Sequence, residues 1–438
     1  MKMMKFLLKV FSYFLGASFR IILSLLCRVI FHLLLYIEKN LLPTKQEPPH
    51  ESLGLILTHL PDCIDRCRFR AVCKFWLFAE KEHPSPDQQL PLLIASTDYI
   101  WPSKVPCYSI YSKKVYWLRF PTQAYCATRH GSSLDGWLLM ENGAPHETYL
   151  FNVFSNEKIS VPSLPANVGD NPLPPEFKWP FDFLGCLKGP CFIHKMIVRS
   201  SPTSDDCLIA AMGDFGSLSL CKPLTKSWKT ELNNKTESLK DIIFYQQMIF
   251  GIDKGEQIVA FKVEETLEGL PHVTDIFEYS TVHNVDIDDP MLQRPGFYLA
   301  EHCGKLLMVL RYGETDERFR SEIDLKTTYF RVFELDDTKS PYMWVHVESL
   351  GKFAMFLGSG GVQFFPTSDL EYIEDDCIYF AIHFDRRSSL RFTDRGVYSM
   401  RDGSIKELDN IDACLRWGSQ NWLPFYPDMW MYLPKYNN

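Results

Sequence analysis

FRVFELDDTKSPYMW, residues 330–344, reads as a strand, a polar turn and an aromatic residue opening the next strand. The apolar and β-branched run Thr328 to Leu335 suits a strand, and Asp336 to Pro341 carries turn residues. LSLCKPLTKSW from Leu218 has the same order: strand, a polar turn with Lys-Ser, then Trp228. LFNVFSNEKISVP from Leu150 is a strand, a turn and a second short strand. Further runs at Val115–Phe120, Cys207–Ala211, Ile258–Val263, Leu306–Leu310 and Ile378–Ile382 are divided by "GDFG" at Gly213, "DKGE" at Asp253 and "RDGS" at Arg401. The spacing between these units is irregular, so they suggest a repeat without giving its period. Residues 90–438 therefore predict a domain of short strands. A β-propeller of roughly six to eight blades fits that length, and a pair of β-sandwiches is the alternative.

Composition agrees with a large core. Of 438 residues, 46% are hydrophobic and 14% aromatic, while only 23% are charged, which argues against disorder. The net charge of −8, with no basic run beyond residue 45, argues against nucleic acid as a partner. The 13 cysteines are odd in number and scattered without a disulfide framework, which suits a reducing compartment. Cys63, Cys67 and Cys73, with His83 beyond, lack the paired spacing of a zinc site and read as small apolar groups.

Ahead of the β-rich region the hydrophobic period changes. Leu53, Ile56, Leu57 and Leu60 stand at helical spacing, and Pro61 breaks the stripe. Phe69, Val72, Cys73 and Trp76 repeat that spacing, and Pro84 and Pro86 close the segment. Two short helices in about 35 residues cannot bury both faces alone and need a partner or the rest of the chain.

PHESLGLILTHLPDCIDRCRFRAVCKFW, from Pro49, resembles an F-box. Pro49, Glu51, Leu53, Ile56, Leu60 and Pro61 match its first half, and Asp65, Arg68, Phe69, Arg70, Val72, Cys73, Lys74 and Trp76 its second. The resemblance implies that Pro49, Leu53, Ile56, Leu60, Pro61, Val72 and Trp76 grip a Skp-type adaptor and, through it, a cullin. Pro48, Ser52 and Arg66 depart from the pattern, Arg66 standing where an apolar residue is usual, and each is expected to weaken that grip. "GSSLDGWLLM" at Gly131, "LFNVFSNEKISVP" at Leu150 and the stretch from Ser349 to Ile405 are similar to the plant family called domain of unknown function 295. "WLPFYP" at Trp422 is consistent with that family's aromatic end. Its members place an F-box ahead of a kelch-like propeller. The expected fold class is mainly β with a small α module. F-box helices at 49–83 precede the propeller at 90–438, 43–48 form a linker, and 1–42 form a basic apolar N-terminal segment for membrane contact or targeting.

Residues 1–37 contain no Asp or Glu, and Glu38 is the first acid. Arg20 and Arg28 interrupt the apolar residues, so the longest charge-free run is Val10 to Phe19. A membrane span is disfavoured by about 2.5–3.5 kcal/mol for a mid-membrane Arg. At 100° per residue Lys2, Lys5, Lys9, Arg20 and Arg28 fall within roughly 140°, which suits a surface helix. The acid-free, serine-bearing composition also suits an organellar transit peptide. Membrane contact through residues 1–37 is ranked first among these, and a secretory signal last.

No catalytic or cofactor motif stands out. "LGSGGV" at Leu357 lacks the strand–GxGxxG–helix context of a dinucleotide site and reads as a β-turn. "GSSLDG" at Gly131 is no nucleophile elbow, "DIDD" at Asp286 is no EF-hand, and no HExxH occurs among the 12 histidines. Asn234 begins a glycosylation sequon that matters only outside the cytosol. The expected function is a non-catalytic substrate receptor of a ubiquitin ligase, without cofactors, its propeller holding an unnamed target protein. Its expected place is the cytoplasm or nucleus. The alternative is a membrane- or organelle-associated scaffold with a vestigial F-box.

Overall fold

The computed structural model describes residues 49–60, most of 65–83 and, within 92–431, the strands and turns given below. Residues 1–48, 61–64, 84–91, 163–192, 409–428 and 432–438, with shorter stretches between strands, lie outside the described residues. The expectations for the N-terminal segment, the 43–48 linker, Pro61, Asn234, Asp286 and Trp422 fall there. The chain divides into two compact units, residues 1–88 and 89–438.

The second unit is a β-propeller. Among the described residues its strands form six sheets. The first contains β1 (Leu92–Ile94), β2 (Lys104–Ser109) and β3 (Lys114–Arg119). The second contains β4 (Ala127–Ser132), β5 (Trp137–Gly143), β6 (His146–Asn152) and β7 (Lys158–Val161). The third contains β8 (Ile193–Val198), β9 (Ile209–Gly213), β10 (Leu218–Cys221) and β11 (Lys229–Glu231). The fourth contains β12 (Leu239–Tyr245), β13 (Met248–Asp253), β14 (Ile258–Glu265) and β15 (Pro271–Tyr279). The fifth contains β16 (Thr281–His283), β17 (Gly296–His302), β18 (Lys305–Thr315), β19 (Leu325–Asp336) and β20 (Tyr342–Val347). The sixth contains β21 (Phe353–Gly358), β22 (Gly361–Pro366), β23 (Cys377–His383), β24 (Thr393–Ser399) and β25 (Ile405–Lys406). The last strand, β26 (Met429–Met431), pairs antiparallel with β1 and completes the first sheet.

Each sheet except the first is thus cut from consecutive strands. The six to eight blades expected from sequence are replaced by five such blades and one composite sheet that ties the two ends of the propeller together. The short strands and their turns could be read from the pattern. The partner of β1, more than 330 residues away, could not.

Period-two alternation explains why the strand runs look solidly apolar. Along β18, Leu306, Met308 and Leu310 pack in one cluster with Phe250, Ile252, Phe333, Leu335 and Trp344. The intervening Leu307 and Val309 pack in another with Phe330, Val332, Met355, Leu357, Ile378 and Phe380. Both faces of the blade are buried, one against each neighbouring blade, so neither face of these strands is left to polar residues. The same division recurs in the fourth blade, where Ile249, Val259 and Phe261 face Ala210, Leu218 and Leu220 of the third. It recurs in the sixth sheet, where Ala354, Phe356 and Tyr379 join Leu93 and Tyr108 of the first. Burying each large side chain contributes about 1.5–3 kcal/mol.

The repeated tryptophans join blades. Trp344 Nε1 donates to the Glu256 carbonyl, 3.1 Å away in the β13–β14 turn of the preceding blade. Trp228 Nε1 donates to the Pro162 carbonyl at 2.6 Å, just after β7 of the preceding blade. The indole supplies apolar bulk inside the interface and one donor at its rim.

Two buried ion pairs also cross blades. Lys195 on β8 meets Asp241 on β12 at 2.6 Å, and Asp241 Oδ2 accepts the Leu299 amide of β17 at 2.6 Å. One carboxylate therefore ties three successive blades. The β8–β9 register shifts between Ile193 and Lys195, and the β12–β13 register between Leu239 and Asp241. Such irregularities re-aim a side chain out of the ladder. Burial raises the Asp241 carboxyl above the ordinary carboxylate range, and the Lys195 ammonium and backbone amides oppose that rise in part. The second pair is Arg311 with Asp394, 2.8 Å apart, where Asp394 also accepts the Thr327 amide at 2.9 Å.

The described residues of the first unit include two helices, α1 (His50–Thr58) and α2 (Lys74–Glu82). Leu53, Leu57, Leu60, Phe69, Trp76 and Ala79 form its core, with Ile56, Val72 and Phe75 half-buried against it. The Phe69 and Trp76 rings lie 4.5 Å apart. The expected second stripe is interrupted: Val72 and Cys73 are not helical, and Cys73 is exposed rather than packed. Phe69 and Trp76 reach the same core from either side of that break.

Arg66 is 7% exposed and organises the unit. Its Nε donates to the Leu60 carbonyl, Nη2 to the Leu57 carbonyl and Nη1 to the His83 carbonyl, each at 2.9 Å. The carbonyls at a helix C-terminus lack intrahelical partners and carry partial negative charge, so a cation there is stabilised. Arg66 serves the ends of both helices at once. Arg66 stands where an apolar residue is usual in the resembled motif, and its guanidinium points inward as a clip. Gly54 belongs to the same arrangement, since a Cβ there would stand 2.6 Å from His83 Nε2.

Two outcomes follow for stability. Lys195→Met leaves a buried carboxylate alone, which costs about 3–5 kcal/mol, and lowers the urea unfolding midpoint. The folded Asp241 pKa then lies above its unfolded value, so the loss is largest at alkaline pH and shrinks as pH falls through the folded pKa; a pH-independent loss would contradict this. Arg66→Met strips three carbonyls of their donor and costs about 3 kcal/mol or more, read as faster amide exchange in residues 50–58 and 74–82.

Candidate functional site

The helical unit is where sequence placed an interaction surface. Pro49 is exposed and precedes α1, its carbonyl accepting the Ser52 amide at 2.8 Å. Ser52 is half-buried in the first turn. Leu53 is fully buried, Leu60 is 5% exposed and Trp76 is 4% exposed. Ile56 and Val72 are half-buried against the same cluster. The structure thus brings Leu53, Ile56, Leu60, Val72 and Trp76 together, but as the unit's own core. They position the surface more than they form it.

Among the described residues of this unit, Leu55 and Phe78 are the large apolar side chains with substantial exposure. Leu55 is 46% exposed and Phe78 is 54% exposed. Each stands two residues beyond a core residue, Leu53 and Trp76, and about 200° of helical turn carries it to the outward side. Stripe analysis missed both because it ranks apolar residues by their membership of the inward stripe. Their signal was being apolar at off-stripe positions, which a partner-bound surface requires and a solvated one does not.

The propeller offers no converged catalytic group among the described residues. No group of three or more His, Cys, Asp or Glu side chains there is placed to hold a metal. His283 Nε2 contacts the Glu256 carboxylate, but Thr281 Oγ1 is committed to the Glu256 carbonyl at 2.7 Å, and the set braces the fourth blade against the fifth. His302 lies between Phe353 and Phe364, with ring centroids 4.5 and 4.3 Å away, and burial lowers its pKa. The buried thiols Cys207 and Cys377 are pushed up to about 11, chiefly by burial, and behave as apolar groups. "LGSGGV" spans the β21–β22 hairpin, with Gly358 opposite Gly361 and φ +126° at Gly361.

No described helix is long and apolar enough to cross a membrane.

Comparison with known proteins places the propeller. No curated protein matches the sequence. Solved structures match at low identity and with TM-scores near 0.3. The N-terminal domain of Nup159 is 10% identical, with TM-score 0.31 and 72% of each chain covered. A 6-phosphogluconolactonase, so named only provisionally, from Bacteroides fragilis NCTC 9343 is 10% identical, with TM-score 0.33, 74% of this chain and 82% of that chain covered. Chaetomium thermophilum Raptor is 11% identical, with TM-score 0.31, 60% of this chain and 19% of that chain covered. A sequence profile described as the KIB1-4 beta-propeller matches residues 107–399, which takes in β3 through β24. The chain belongs to the KIB1-4 β-propeller family.

Proposed function

We propose that this protein is the substrate-recognition subunit of a Skp–cullin–F-box ubiquitin ligase. Residues 49–83 dock a Skp-type adaptor, and the propeller holds a target protein for ubiquitin transfer. The observation that carries this reading is the pairing of a small helical unit, apolar on its outward side at Leu55 and Phe78, with a propeller that follows it in the chain. A propeller fits protein binding, since its interblade connections form broad loop surfaces on a rigid frame. No chemistry is assigned to this chain in that role; the other ligase subunits supply it. Nucleic acid has no part in it, and the target is a protein. The cytoplasm or nucleus is the compartment that this reading requires.

The burial pattern sharpens which residues touch the adaptor. Leu53, Leu60 and Trp76 act through the module's core, so their truncation unfolds the unit and reports stability as well as docking. Leu55 and Phe78 are the contact residues. Truncating such an apolar anchor typically costs 1–3 kcal/mol or more.

A second reading keeps the propeller as a scaffold held at a membrane or organelle. It is favoured by residues 1–37, which are apolar, basic and free of Asp and Glu. It predicts that the full chain localises to a membrane and a chain starting at Lys45 does not; identical diffuse distributions would remove it.

For the ligase reading, the full chain is expected to co-purify with a Skp-type adaptor. Leu55→Asp with Phe78→Asp should weaken binding at least about tenfold while leaving the helical circular dichroism unchanged. An unbound wild type, or equal binding by a folded double variant, contradicts the proposal.

A further inference from the structure

The β8–β9 connection is longer than its blade needs. Equivalent hairpins in the next two blades close with two residues, Gln246–Gln247 between β12 and β13 and Cys303–Gly304 between β17 and β18, all with positive φ. Between β8 and β9 the chain instead runs through residues 199–208, Arg-Ser-Ser-Pro-Thr-Ser-Asp-Asp-Cys-Leu. A lengthened turn on a rigid blade is where function is commonly added.

This turn is built from the inside. Pro202, Cys207 and Leu208 are buried and anchor it, while Thr203, Ser204, Asp205 and Asp206 are exposed in succession. The Ser204 amide donates to the Ser201 carbonyl at 2.8 Å, and the Cys207 amide to the Ser204 carbonyl at 3.1 Å. Ser200 Oγ donates to Asp206 Oδ1 at 3.0 Å, and Ser204 Oγ donates to the same oxygen. These two hydroxyls hold the Asp206 carboxyl below the usual carboxylate range, so it stays anionic. Arg199 reaches the Asp206 backbone carbonyl at 3.0 Å.

We propose that Thr203 is a phosphorylation site for an acid-directed Ser/Thr kinase. Thr203 is on the exposed crest, its Oγ1 lies 3.0 Å from the neutral Ser201 hydroxyl and is not held by a carboxylate, and carboxylates follow at the second and third positions after it, Asp205 and Asp206. A kinase whose substrate cleft is basic selects that charge pattern. The neighbouring hydroxyls fit less well. Ser204 is committed to Asp206, and the third residue after it is the buried Cys207. Ser201 precedes a buried Pro202, which a proline-directed kinase could not seat. In the reaction Thr203 Oγ1 attacks the γ-phosphorus of a nucleoside triphosphate. The bond to the departing nucleoside diphosphate breaks, and the hydroxyl proton goes to the kinase's base. The product adds close to two negative charges beside Asp205 and Asp206, against the single cation Arg199 in the turn. The propeller rim gains a charge-switched patch, which a basic partner surface would read. This site stands whether or not the adaptor reading holds.

The test incubates the folded full chain with an acid-directed Ser/Thr kinase and labelled ATP, followed by peptide mass spectrometry. One phosphate per chain on Thr203 is expected. Thr203→Val should reduce incorporation below a tenth, Thr203→Ser should retain it, and Asp205→Asn should slow it about tenfold, without a change in unfolding midpoint. No incorporation, or incorporation that survives Thr203→Val undiminished, overturns the proposal. So does modification by a proline-directed kinase at Ser201 in place of Thr203.

Discussion

Burial of both faces of every blade is the constraint on which the propeller depends. A sheet with two apolar faces cannot stand alone or as the outer layer of a sandwich; each face needs another sheet. Arranging such sheets around a ring satisfies all faces at once, provided the ring closes. Closure is supplied by β26, which pairs with β1 and brings residues 429–431 to residues 92–94. Apolar packing alone would let adjacent blades slide. The Lys195–Asp241–Leu299 tie and the Trp344 and Trp228 indole bonds add directional contacts that set how neighbouring blades meet.

The strand runs were legible because strands in a two-faced blade are nearly continuous in apolar residues. Ile258–Val263 and Leu306–Leu310 fall within β14 and β18. Turn chemistry was legible for the same local reason: at Asp253 the carboxylate accepts the Gly255 and Gln257 amides at 2.7 and 2.9 Å. The Lys-Ser…Trp units marked a real structural role, since Trp228 and Trp344 each bond to the preceding blade. What could not be read was long-range. Nothing local says that β26 joins β1, that β16 pairs parallel with β20, or that Asp241 lies beside Lys195.

The helical unit shows a different limit. Spacing identified Leu53, Leu57, Leu60, Phe69 and Trp76 correctly as one apolar set, but spacing cannot say whether such a set faces inward or toward a partner. Arg66 resolves the matter physically. A guanidinium that bonds the carbonyls of Leu57, Leu60 and His83 must lie inside, and the stripe beside it becomes core. Spacing therefore groups Leu53, Leu60 and Trp76 without giving their direction, and burial shows that these three face the unit's own core.

The proposed function assigns adaptor docking to the helical unit and target binding to the propeller. Hydrogen–deuterium exchange of the full chain, with and without a purified Skp-type adaptor, tests that division most directly. The account predicts adaptor-dependent protection in residues 50–58 and 74–82, with amides of β4 through β24 unchanged. Protection confined to the propeller strands, or none anywhere at saturating adaptor, would contradict it.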